Sequence, residues 1–245
     1  MKGDAPLPGP ARLVIGLVLV AGGACVALRL PQAAQWSLAD AGTFVILAAA
    51  VALCEWSPVR IRYRTETLNL SLSEAVWTAA LILLSNGPNA AAGRGASILT
   101  LAVGVGVLAG QGSGGRAPIK LLFNLGQFVF AITIAEALFT ALPTGAVTQP
   151  LTWGAAAVAL GGFLAVNMVL TNLVIARVET RPLREVLGPS VGPVVLHWTG
   201  NVAVGLVAAV TWRAARGAMP LLVVPLVLAH LAYRGWLCNR SIPVS

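Results

Sequence analysis

Long apolar blocks alternate with short polar connections along this chain. One block, Ala117–Leu142 (APIKLLFNLGQFVFAITIAEALFTAL), is long enough to cross a bilayer, since a helix rises 1.5 Å per residue and the hydrocarbon core is ~30 Å thick. It nevertheless carries Lys120, Asn124, Gln127 and Glu136, which lipid does not tolerate on a face it touches. Lys120, Asn124 and Gln127 follow an i, i+4, i+7 spacing and share one stripe, so that stripe must face protein or trapped water.

The remaining blocks predict further crossings. Leu13–Leu30 is the first. It is long for a signal-peptide core, and Gly22-Gly23-Ala24-Cys25 lacks the leucine of a lipoprotein cleavage site, so an uncleaved span is expected. Leu38–Trp56 is the second, with Trp36 and Trp56 as interfacial anchors. Ser71-Leu72-Ser73-Glu74 has capping-box spacing and opens a third, short apolar helix to about Leu84. Ala90–Gly110 is the fourth, and its Gly106 and Gly110 permit close helix approach. Ala117–Leu142 is the fifth, Leu151–Ala176 the sixth, Val191–Ala214 the seventh and Met219–Leu237 the eighth. The charged stretch Arg177–Leu187 leaves the bilayer between the sixth and seventh.

One segment breaks the helical pattern. In Ser57–Ser73, Val59, Ile61 and Tyr63 alternate with Arg60, Arg62 and Arg64, a period of two that predicts an extended or hairpin-like segment at the membrane surface. The three arginines can take anionic lipid headgroups there, or lie in a solvated loop.

Composition agrees with a membrane protein. Apolar residues make up 58% of the chain and charged residues 10%, with a mean hydropathy of +0.85, too little charge for a soluble surface. The net charge of +8 does not indicate nucleic acid, because the basic residues lie between apolar runs rather than in a patch with aromatics. With the N-terminus in the cytoplasm, only Arg29, Arg94, Arg213 and Arg216 of the 16 basic residues fall on the outer side. That bias obeys the positive-inside rule and puts both termini in the cytoplasm, N-in and C-in. The expected architecture is an all-α polytopic membrane protein of about eight transmembrane helices, in the bacterial inner membrane. Residues 1–11 form a disordered cytoplasmic tail, 12–237 a single transmembrane domain and 238–245 a short cytoplasmic tail. Cys25, Cys54 and Cys238 fall in or beside separate apolar runs and are read as core residues.

No nucleophile elbow, phosphate loop, zinc-protease motif or dinucleotide fingerprint occurs in the chain. An enzyme, a metal site and a cofactor are therefore not expected. The polar constellation says more. Asn124 and Gln127 in the fifth span, Asn167 and Thr171 in the sixth, and His197 and Asn201 in the seventh fall at one depth in this topology. They read either as interhelical hydrogen-bond glue or as one polar cavity open to the cytoplasmic half. Lys120, one turn below Asn124, would favour a small polar or anionic ligand at its mouth. At the other end, Glu136 and Arg94 lie near the outer ends of adjacent antiparallel spans and are expected to form an ion pair.

The segments TLNLSLSEAVWTAALILL, KLLFNLGQFVFAI, NMVLTNLVIARVETRPLREVL and GNVAVGLVAAV occur in this order over Thr67–Leu237. Together they resemble the bacterial multi-helix membrane-associated sensor domains found N-terminal to GGDEF and HD-GYP output modules. The resemblance implies a membrane part that senses a stimulus and acts through a cytoplasmic output protein or a second copy of the chain. This chain ends at Ser245 without such a module, so no catalysis on cyclic dinucleotides is assigned to it. The alternative is a small permease, or the substrate-binding membrane subunit of an uptake system. The nearly apolar outer halves of spans five to seven favour the sensor.

Overall fold

The structure, a computed structural model, describes residues 7–56, 58–63, 66–86, 93–113 and 117–228. Its elements are α1 (Gly9–Ala33), α2 (Leu38–Trp56), β1 (Val59–Tyr63), β2 (Glu66–Leu70), α3 (Ser73–Ser85), α4 (Arg94–Gly112), α5 (Pro118–Ala141), α6 (Pro150–Glu179) and α7 (Leu183–Ala214). A further apolar helix, α8, covers Arg216–Leu228 and begins with a 3-10 turn. Among the described residues, six helices are long and apolar enough to cross a membrane: α1, α2, α4, α5, α6 and the Val194–Ala214 part of α7.

Local chemistry sets several ends. Pro118 and Pro150 open α5 and α6, where a missing N–H costs nothing. Ser37 and Asp40 cap α2 reciprocally: the Ser37 N–H donates to Asp40 Oδ2 at 2.9 Å, and the Asp40 N–H donates to Ser37 Oγ at 3.2 Å. The expected capping box at α3 is not made that way. Ser71 Oγ does accept the Ser73 N–H, but the Glu74 carboxylate turns to α7 instead.

The structure bears on three other expectations. Residues Gly9–Ala11 are helical rather than part of a disordered tail. Arg177–Leu187 is mostly helix, because α6 continues to Glu179 and α7 already starts at Leu183. The third apolar helix is 13 residues long, shorter than the ~20 residues of an ordinary crossing. The period-two segment is an antiparallel hairpin pairing Arg60 with Asn69 and Arg62 with Thr67; Arg64 lies outside the described residues, as do the last residues of the eighth expected span and the 238–245 tail.

The two helices that pack most extensively, α2 and α4, are not sequence neighbours. A Cβ on Gly106 of α4 would lie 2.6 Å from Val51 Cβ, and one on Gly110 would lie 2.5 Å from the Ala52 carbonyl of α2. These glycines let the two backbones approach, as small residues do where dispersion rather than water drives helix packing. Asp40 beside Arg94 at one end and Glu55 beside Gly110 at the other make α2 and α4 parallel. In the same way, Gly22 of α1 meets the backbone of Gly126 of α5, while Arg29 meets Glu136, so α1 and α5 are parallel too.

The short helix α3 stands in the middle. It buries Ala75, Trp77, Thr78, Ala80, Leu81 and Ile82. Trp77 packs edge-on against Phe163 of α6 and Phe128 of α5, with ring centroids 5.0 and 5.4 Å apart. Packed against α2, α4, α5, α6 and α7, with no exposed residue from Ser73 to Ser85, α3 needs no lipid-spanning length of its own.

Candidate functional site: a hydrogen-bonded polar layer at the foot of α3

The first turn of α3 collects polar side chains from four other helices. Glu55, in the last turn of α2, is buried and has both carboxylate oxygens occupied. Ser73 Oγ donates to Oε1 at 2.6 Å and Gln111 Nε2 donates to Oε2 at 2.7 Å. Gln111 ends α4, and its Oε1 accepts Asn124 Nδ2 of α5 at 2.8 Å. Ser71 Oγ lies 3.0 Å from Ser73 Oγ and 3.2 Å from the Cys54 carbonyl.

From α7, Asn201 Nδ2 donates to the Ser71 carbonyl at 3.0 Å and lies 3.2 Å from Glu74 Oε2. His197 Nε2, one turn away on the same stripe, is 2.9 Å from Asn201 Nδ2 and 4.0 Å from Glu74 Oε2. A continuous chain therefore runs from Asn124 through Gln111, Glu55, Ser73 and Ser71 to Asn201, Glu74 and His197. Asn201 is 2% exposed and Glu55 6%, so these groups would be costly to bury without such partners.

The expected constellation is thus divided. Asn124, Asn201 and His197 belong to this layer. Gln127 instead ties α5 to α6: its Nε2 donates to the Asn167 carbonyl and to Thr171 Oγ1, both at 2.9 Å, and also contacts Asn167 Oδ1. Among the described residues, no hydrogen bond joins the two groups. The single polar cavity expected from shared depth is replaced by two interhelical knots, because Gln127 points at α6 while Asn124 points at α4.

The charge of the site also changes sign. Lys120 is exposed in the first turn of α5, whereas the layer itself holds the carboxylates Glu55 and Glu74. Glu55, Gln111, Ser71, Ser73 and Glu74 were missed by sequence reasoning because they stand at the ends of apolar runs, where polar residues ordinarily meet headgroups. The one available signal was a carboxylate, Glu55, still inside the run Leu38–Trp56.

The opposite end of the bundle corrects the expected ion pair. Glu136 accepts Arg29 Nη2 of α1 at 2.7 Å and Thr100 Oγ1 of α4 at 3.2 Å. Arg94 pairs instead with Asp40 of α2 at 3.4 Å. Thr100 marks the level of Glu136 on α4, and Arg94 lies ~9 Å further along that helix at 1.5 Å per residue, beyond reach.

A cleft of about 310 Å³ opens between α1, α4 and α5, and its walls are apolar, including Gly22, Val26, Leu108 and Val129. The hairpin places Arg60 and Arg62 on one strand, β1, next to the polar layer in sequence. No family of known proteins, no curated protein and no solved structure matches this chain.

Proposed function

We propose that the chain is a sensory membrane domain of eight helices with both termini in the cytoplasm, in which rearrangement of the polar layer is passed by α7 to a cytoplasmic partner. The observation that carries this reading is the join between Asn201 and the Ser71 carbonyl. It fixes the foot of α3 to a helix of 32 residues, ~48 Å long against a ~30 Å hydrocarbon core. About 27 Å of α7 lies N-terminal to Asn201, whereas α5 has only ~9 Å before Asn124. The excess projects past the layer and bears Arg184 and Glu185. The bias of basic residues, among them Arg60, Arg62, Arg177, Arg181 and Arg184, assigns this end to the cytoplasm.

The layer supports sensing better than permeation, since its side chains are bonded to one another rather than to an open path. Its two carboxylates make a proton or a small cationic, donor-rich ligand the better stimulus. The resemblance of Thr67–Leu237 to sensor domains points the same way. Photo-cross-linking from position 184 in cells tests the proposal. A cytoplasmic protein should be captured, and Asn201→Leu should change the yield while the chain stays folded. Capture of lipid alone, together with substrate uptake by the purified chain in proteoliposomes, would replace the sensor by the permease.

A further inference from the structure

The apolar cleft between α1, α4 and α5 ends at a charge. On α1, Gly22, Val26 and Arg29 follow an i, i+4, i+7 spacing, so the stripe that lines the cleft leads directly to the guanidinium. On α5, Val129 and Glu136 are likewise seven apart, and on α4 the lining residue Leu101 follows Thr100. Beyond the lining residues Val26 and Leu101, the same three helices carry Arg29, Glu136 and Thr100, which bond to each other.

Within that cluster the two charges are not equivalent. Glu136 is buried, and its oxygens face Arg29 and Thr100. Arg29 is the accessible member, with a side chain 20% exposed, although its Nε is buried and without a partner. Towards the bilayer the cluster thus presents guanidinium donors, not carboxylate.

The dimensions match one lipid chain. Leu19, at the far end of the cleft, lies ~15 Å below Arg29 at 1.5 Å per residue. That is half of a ~30 Å hydrocarbon core, the depth of one leaflet. Gly23 leaves room: a Cβ there would meet nothing within 4 Å.

We infer that this cleft is a binding site for an anionic phospholipid, one acyl chain lying along Gly23 and Val26 and the phosphate taken by Arg29. This inference is independent of the signalling reading and needs only that the helices be in a membrane.

Native mass spectrometry of the full chain, exchanged into detergent with equal phosphatidylglycerol and phosphatidylcholine, tests it. The wild type should retain one phosphatidylglycerol in preference to phosphatidylcholine, by less than the about five-fold that one unpaired near-surface arginine gives, because Glu136 offsets part of the Arg29 charge. Gly23→Leu should lose the bound lipid, because its side chain fills the cleft without meeting backbone. Arg29→Gln combined with Glu136→Gln should still bind lipid but lose the preference. Gel filtration and thermal unfolding verify that each variant is folded; should the double variant fail to fold, Arg29→Lys replaces it and should reduce the preference while retaining it. Equal retention of the two lipids by the wild type would overturn the inference. So would lipid retention by Gly23→Leu, or a wild-type dimer that Gly23→Leu converts to monomer, which would make a second copy the occupant.

Discussion

Asn201 of α7 donates a hydrogen bond to the backbone carbonyl of Ser71, a residue 130 positions earlier in the chain. The bond ties the last long helix to the connection between the hairpin and α3, and it holds together the two halves of the polar layer. Replacing Asn201 by leucine removes that bond and the contact with Glu74. Interhelical hydrogen bonds in membranes average ~0.6 kcal/mol, and a buried group left unpaired costs ~1–3 kcal/mol. Asn201→Leu is expected to destabilise the protein by about 1–3 kcal/mol in equilibrium unfolding from mixed micelles. A change below ~0.5 kcal/mol would show that the bond contributes nothing.

Glu55 gives a graded test of the same layer. Glu55→Gln keeps an acceptor for Ser73 or Gln111, whereas Glu55→Leu leaves both donors unpaired. The leucine variant should be the less stable by at least ~1 kcal/mol. Equal stability of the two in thermal unfolding would mean that the donors find other partners.

At the opposite end, the partner of Glu136 can be read by double-mutant cycles. Arg29→Gln with Glu136→Gln should show a coupling of roughly 0.5–3 kcal/mol. Arg94→Gln with Glu136→Gln should be additive, since Arg94 pairs with Asp40. Coupling of Glu136 to Arg94 instead of Arg29 would contradict the pairing described above.

Glycines separate into two kinds. Gly110→Ala would drive a methyl to 2.5 Å from the Ala52 carbonyl, and overpacking of this kind costs typically ~1–3 kcal/mol. Gly42→Ala on the exposed side of α2 meets nothing within 4 Å and should change stability by less than ~0.5 kcal/mol. Chemical unfolding of the two variants side by side measures the difference, and equal effects would rule out close α2–α4 packing.

The side assignment is open to labelling. Single cysteines at Ala146, between α5 and α6, and at Arg181, between α6 and α7, should react with a membrane-impermeant maleimide from opposite sides of sealed vesicles. Arg181 should be on the cytoplasmic side. The reverse result would invert the topology.

What could be read beforehand divides along physical lines. Apolar runs announce helices such as α2, α4 and α5, because lipid demands both length and hydropathy of a crossing. They announce α3 too, from Ser71-Leu72-Ser73-Glu74 to about Leu84, but not that its 13 residues pack against five other helices. Nor do charges end a helix: α6 and α7 continue through Arg177 and Arg184, since water tolerates a helical backbone as well as a loop. In the site, Asn124, Gln127 and Asn201 were legible as amides inside apolar runs. Their partners were not, because a stripe tells which way a residue faces on its own helix and not which helix stands opposite. The exchange of Arg94 for Arg29 beside Glu136 has the same origin, since α1 is far in sequence from α5 yet packs along it.

That pairing order has a consequence for how the protein is made. Synthesis delivers α1 before α5, α2 before α4, and α3 before α7, and each early helix carries a group whose partner comes from the late one. Glu55 enters the membrane before Gln111 exists, Arg29 before Glu136, and the Ser71 carbonyl waits for Asn201. Until then Glu55 has Ser73 but not Gln111, and Arg29 and the Ser71 carbonyl wait at the ends of their helices. The polar layer and the Arg29–Glu136 pair therefore close only when the late helices arrive.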